Sequence, residues 1–201
     1  MTIIAFDFET TGLPLFKERS IDPRQPHIVQ MAILAYSEAG VELDHECVIV
    51  KPDGWVISPE VTKIHGISHE QAMDVGIPEK DAAAMFLVAM VRASLRVAHN
   101  IAFDLRIARI AMSRAGYQRE MIEALEARPE FCTCNASKPL VKLPPTEKMR
   151  AVGFTGFKSP SLQECMSHFF QEEIDGAHDA LVDARCSGRI YWHLKSLGKN
   201  S

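Results

Sequence analysis

The 201 residues predict an α/β fold, a central sheet with helices on both faces. Three observations carry this. Three strand-like stretches come first, segments at helical spacing then alternate with a further strand, and 47 % hydrophobic residues suffice for one substantial core. The expected sheet is mixed and five-stranded, three antiparallel strands followed by parallel ones, in a single domain over residues 1–201.

Residues 2 to 8 contain the apolar run Ile3-Ile4-Ala5-Phe6 and read as a buried strand. Residues 28 to 37 and 41 to 50 are apolar or alternating, and Glu38-Ala39-Gly40 between them suits a hairpin. Residues 79 to 93 read as a helix, with Pro78 suited to its first turn and Ala83, Phe86, Leu87, Met90 and Val91 on one face. A short strand follows over Leu95 to Ala98. Ala102 to Ala115 returns to helical spacing and stops at Gly116. A short helix near 119–127 leads into a stretch rich in Pro, Gly and Ser, residues 135–160. There Lys138, Lys142, Lys148, Arg150 and Lys158 face only Glu147, so this segment reads as a loop, either solvated or touching phosphate. Helices near 161–170 and 178–197 complete the chain.

Several classes are excluded. A net charge of −4 argues against coating duplex nucleic acid by bulk electrostatics, although a cluster of metal-binding acids would itself supply negative charge. The longest apolar run, Ala82 to Val91, is far short of the roughly 20 residues that span a bilayer. The N-terminus lacks the order of a secretory signal. Five cysteines without a CxxC pair, Cys47, Cys132, Cys134, Cys165 and Cys186, read as reduced thiols, and a cytoplasmic chain without membrane contact is expected.

The chemistry begins at Asp7-Phe8-Glu9-Thr10-Thr11-Gly12. In a strand, Asp7 and Glu9 project from one face and Phe8 from the other. Two like charges side by side raise each other's pKa unless cations sit between them, and hard divalent ions prefer such oxygens. In Val97-Ala98-His99-Asn100-Ile101-Ala102-Phe103-Asp104, the last residue is an acid just inside a helix that follows a strand. In His178-Asp179-Ala180-Leu181-Val182-Asp183, five residues at about 100° each set His178 roughly 140° from Asp183 around a helix axis. The two meet only if His178 lies at the helix entrance. Asp179 stands at i, i+4 from Asp183 and reads as a cap or first-turn acid. A histidine beside acids suits a general base, because an unperturbed imidazole titrates near neutrality.

These motifs, in this order and spacing over almost the whole chain, resemble the DEDDh (DnaQ-like) family of 3′ to 5′ exonucleases, in particular its epsilon-type proofreading branch. The resemblance implies a ribonuclease H-like fold, metal-site carboxylates at Asp7, Glu9, Asp104 and Asp183, and a general base at His178. It implies two divalent cations, Mg²⁺ or Mn²⁺. Asp7 is the expected bridge between them, with Glu9 and Asp183 on the nucleophile-side ion and Asp104 on the other. The implied reaction hydrolyses the terminal phosphodiester at the 3′ end of single-stranded or frayed DNA and releases nucleoside 5′-monophosphates. RNA is the alternative substrate, and a non-catalytic nucleic-acid-binding module is the alternative of a different class. Within Ser58 to Ile67, the resemblance makes Glu60, His65 and Ile67 expected neighbours of the terminal nucleotide. Thr10, Thr11, Asn100 and Phe103 are the remaining expected substrate contacts, with Phe103 or Ile67 stacking on the end base. Gln163-x-x-Met166-x-x-Phe169-Phe170 has the form of a sliding-clamp peptide, but Leu162, Met166 and Phe169 at helical spacing read as core. The chain stops at Ser201 soon after its last helix, so stable association with a polymerase or clamp is not expected.

Overall fold

The computed structural model describes residues 2–198; Met1 and residues 199–201, including the chain end at Ser201, lie outside the described residues. The strands are β1 Thr2–Thr10, β2 Ile28–Tyr36, β3 Glu42–Lys51, β4 Ile77–Pro78, β5 Ala93–Ala98 and β6 Glu130–Cys132. They form one sheet in the order β4-β3-β2-β1-β5-β6. The pairs β1–β2 and β2–β3 are antiparallel, while β1–β5, β5–β6 and β3–β4 are parallel. The mixed sheet is as expected but has six strands rather than five. The edge strands β4 and β6 hold only two and three residues, too few for any periodicity to register.

The helices are α1 Pro59–His65, α2 His69–Val75, α3 Glu79–Arg92, α4 Ile101–Arg114, α5 Arg119–Glu126, α6 Thr133–Val141, α7 Glu147–Ala151, α8 Leu162–Phe170 and α9 Ala180–Ser196. The segment 135–160, expected as a loop, instead carries most of α6 and all of α7. Pro139 lies inside α6 and disguises it in sequence, yet Cys134 and Ser137 are buried there and α6 packs against α8 and α9. Tertiary burial outweighs the poor local propensity.

Strand alternation divides the core in two. Ile4, Phe6 and Phe8 point to one face and pack with Phe86 and Met90 of α3 and Ile107 and Ile110 of α4. Ile3 and Ala5 point to the other, against Met166 of α8 and Ile190 and Leu194 of α9. The apolar stripe Leu162, Met166 and Phe169 belongs to this second cluster. Small residues let α9 lie close: Ala32 and Ala184 are fully buried, and a Cβ on Gly188 would come within 2.8 Å of the Tyr36 hydroxyl. All five cysteines are free thiols. Among the described residues no helix is long and apolar enough to cross a membrane.

Candidate active site

Because Asp7 and Glu9 continue the alternation of Ile3 and Ala5, they emerge on the face that α9 covers. They stand where β1 and β5, which run parallel, reach their carboxyl ends, the usual place for a site in such a sheet. At the end of β5 the chain turns sharply through Asn100 in the left-handed region (φ 65°), and α4 starts at the next residue. Asn tolerates this conformation better than most side chains. Asp104 thereby falls in the first turn of α4, 2 % exposed.

The last helix supplies the other half. Asp179 is its N-cap, accepting hydrogen bonds from the backbone N–H groups of Leu181 (3.0 Å) and Val182 (3.1 Å). Asp183 lies one turn inside, and His178 stands just outside the helix at φ 66°. That placement resolves the 140° problem: His178 reaches Asp183 because it is not helical. Glu9, His178 and Asp183 each present a ligand atom within 4.8 Å of the others.

The electrostatics tie all four carboxylates together. Burial, then the charges of Asp104, Asp183 and Glu9, hold Asp7 well above the ordinary carboxylate range. Glu9 is pushed up to about 8, first by burial and then by Asp183 and Asp179. Burial also raises Asp104, partly offset by backbone N–H groups of Phe8 and of its own residue. Asp183 rises to about 6 through burial, with His178 pulling the other way. One oxygen each of Asp104 and Asp183 is buried without a hydrogen-bond partner. Such a set of hard, mutually repelling oxygens fits divalent cations.

A residue the motifs do not reveal holds this arrangement in place. Gln30 pairs directly across from Glu9 in the β1–β2 ladder and is 5 % exposed. Its Nε2 donates to Asp179 Oδ2 (2.9 Å) and its Oε1 accepts from the Ala180 backbone N–H (3.0 Å), fastening the entrance of α9 to the strand beside the acids. The only signal in sequence is a lone amide in an apolar strand. Gln30→Leu is expected to cost about 1–3 kcal/mol, because it leaves buried polar groups unpaired. Urea unfolding checks that cost, and a fall in turnover larger than the loss of folded protein would identify a positioning role.

The other expected contacts divide. His65 is buried at the end of α1, its Nδ1 accepting from Ile67 N–H (3.1 Å) and its Nε2 without a partner. Burial, and then the nearby His178, depress its pKa. Glu60 is exposed on the first turn of α1, with Ser58 holding its carboxyl below the usual range. Ile67 is 6 % exposed and packs with Val29, Ile57 and Ala72, so it offers no free stacking face, while Phe103 is half-buried against the main core. Asn100 is exposed. The Thr10 hydroxyl donates to Gly12 O (2.8 Å), while Thr11 exchanges hydrogen bonds with the His27 backbone through its N–H and its hydroxyl (both 3.0 Å). His99 of the second motif bonds Thr133 Oγ1 and the Pro160 carbonyl (both 3.0 Å), tying β5 to α6 and to the approach of α8.

The profile of the RNase_T exonuclease family matches residues 4–191, nearly the entire chain. The chain belongs to this exonuclease family. Solved structures of similar fold are exonuclease I proteins. *E. coli* exonuclease I in complex with a dT13 oligonucleotide is 19 % identical at a TM-score of 0.75, the match covering 97 % of this chain and 41 % of that one. The zinc-bound form of the *E. coli* exonuclease I–ssDNA complex gives 19 %, 0.70, 98 % and 40 %. A moderately thermophilic exonuclease I from *Methylocaldum szegediense* gives 19 %, 0.71, 97 % and 40 %. The chain thus spans about two fifths of the length of these exonuclease I chains. Comparison with curated proteins finds no match.

Proposed function

We propose that this exonuclease-family domain is a divalent-cation-dependent 3′ to 5′ exonuclease that removes nucleotides from single-stranded or frayed DNA ends as nucleoside 5′-monophosphates. The observation that supports it most is convergence. Residues 7, 9, 104, 178 and 183, far apart in sequence, come together as four mutually repelling carboxylates and one histidine. The buried, unpartnered oxygens of Asp104 and Asp183 fit Mg²⁺ or Mn²⁺ held by those two residues with Asp7 and Glu9. When bound, the cations supply Lewis-acid stabilisation of charge on the phosphate.

The chain's own residues do the rest. Asp7 and Glu9 are fixed by the strand ladder and Asp104 and Asp183 by helix first turns, so the oxygens are positioned before substrate arrives. His178, exposed at the helix entrance, accepts the proton of the attacking water. His65, beside it, borders the terminal nucleotide. The structure of oligonucleotide-bound exonuclease I supports a single-stranded DNA substrate by analogy of fold. Five free thiols suit the reducing cytoplasm.

The test is to incubate 5′-labelled single-stranded DNA and matched RNA with the protein and Mg²⁺ or Mn²⁺, with EDTA and Asp7→Ala as controls. A ladder shortening from the 3′ end, stronger on DNA and absent in both controls, is expected. Preferential RNA trimming would reassign the substrate. Binding without cleavage in either metal would make the domain a non-catalytic module.

A further inference from the structure

Between β1 and β2 the chain makes a long excursion, from Thr11 to His27, and this loop is pinned from several sides. The Gln25 side chain bonds the Leu15 N–H and carbonyl (both 2.9 Å) and the Arg19 carbonyl (3.1 Å). Arg114 Nη1 donates to the Pro26 carbonyl (2.8 Å), and Arg106 donates to Ser20 Oγ (2.9 Å) and the Glu18 carbonyl (2.6 Å). The loop is therefore held against α4, yet it leaves Phe16 63 % and Leu13 81 % exposed.

Where the loop meets α4 and α5 there is a cavity of about 480 Å³ lined by Arg19, Arg106, Arg109, Arg119, Tyr117 and Glu123, among others. Arg106, Arg109 and Ser113 follow helical spacing, so they form one stripe of α4, on the side away from Asp104. Arg109 pairs with Glu126, and Arg119 with Glu123 (2.6 Å). Counting both acids, four guanidinium groups still outnumber two carboxylates, on a chain whose net charge is −4. The crowding has a cost. Burial and then the neighbouring Arg109 charge hold the Arg106 pKa below its usual value, and Arg106 Nε is buried without a partner. Such an excess of guanidinium groups over carboxylates is matched by phosphate, which guanidinium binds with two parallel hydrogen bonds. Phe16 on the loop and Tyr117 at the pocket add ring faces, the combination that single-stranded nucleic acid uses.

We propose that this arginine pocket binds the phosphate backbone of the substrate strand upstream of the 3′ end, with the Phe16 side of the loop guiding the strand from the acid cluster over the start of α4. The proposal deepens the exonuclease reading by adding a remote anchor for the strand. Such an anchor tightens binding of long strands without reading sequence.

The test measures binding in EDTA, where cleavage is suppressed, so it stands apart from whether the domain cuts. Fluorescein-labelled dT3, dT16 and U16 are titrated against wild type, the double variant Arg19→Ala/Arg119→Ala, and a control, Lys51→Ala/Lys80→Ala, at exposed positions on β3 and α3. Arg106 is left intact because it anchors the loop. In the arginine variant, the Kd for dT16 is expected to rise about five- to tenfold, and the slope of log K against log salt to shrink by about 1.4, or 0.7 per lost phosphate contact. Binding of dT3 and the control variant's Kd should not change. Equal losses in the arginine variant and the control would overturn the proposal by showing a bulk charge effect, as would an unchanged dT16 affinity. Weakening of U16 alone would overturn it for a DNA strand. A wild type that binds as expected but never cleaves would sink the exonuclease reading and leave the pocket standing.

Discussion

Asp7→Asn is expected to abolish hydrolysis, on the order of 10³-fold or more, and at the same time to raise the melting temperature of the metal-free protein. The second effect follows from the linkage of charge and stability. Glu9 is pushed up to about 8 and Asp183 to about 6, with Asp7 and Asp104 raised as well. A carboxyl whose folded-state pKa is raised binds its proton more tightly in the folded chain than in the unfolded one. Its contribution is therefore best below the ordinary range near about 4 and is lost as pH climbs towards about 8. Metal-free wild type should accordingly melt lower at pH 8 than at pH 5. Asp7→Asn removes the charge that all three other acids oppose, so at pH 8 it should melt about 3–6 °C higher, the shift of roughly 1.5 kcal/mol in a chain of this size. Calorimetry in EDTA at the two pH values decides the matter. A variant that melts no higher than wild type at pH 8 would show that the acids do not repel one another as their burial implies.

His178→Ala is expected to lose about 10²-fold or more in kcat while the fold and cation affinity stay nearly intact. The side chain is exposed and outside α9, so little packing is lost. Its nearness to Glu9 and Asp183 within 4.8 Å gives the imidazole a second conceivable role, as a ligand. Mn²⁺ titration separates the two: losing a base leaves affinity within about threefold, whereas losing a ligand weakens it by at least the roughly 100-fold that loss of a ligand's supporting partner can cost. Because residue 178 sits at φ 66°, His178→Asn serves as a companion that tolerates this backbone. Equal activity losses in both variants assign the effect to the imidazole. Wild-type rates in either would remove it from the mechanism.

The placement of the candidate-site residues was legible in part because strand and helix geometry constrain it. Asp7 and Glu9 follow from strand alternation, and the helical angle between His178 and Asp183 forced the histidine off the helix, where it lies. Asp179 is the cap its position suggested. What the sequence hid was tertiary. Gln30 has meaning only once β2 is in register with β1 and the start of α9 rests on it. Helices α1 and α2, of seven residues each, are too short to show a face, and Pro139 breaks the pattern of α6. The bonds of Thr10 to Gly12 O and of Thr11 to the His27 backbone show only in the folded turn.

The acid cluster joins the first strand to the last helix, with Asp7 on β1 and Asp183 on α9, which packs directly on β1 and β2. Contacts of such long sequence separation must first overcome the entropy of closing a long loop. A ribosome carrying this chain can display the β1–β2–β3 meander long before residues 178–183 exist. A fragment ending before residue 178 therefore lacks two of the three groups, His178 and Asp183, that meet Glu9 within 4.8 Å, and β1 alone cannot assemble the cluster.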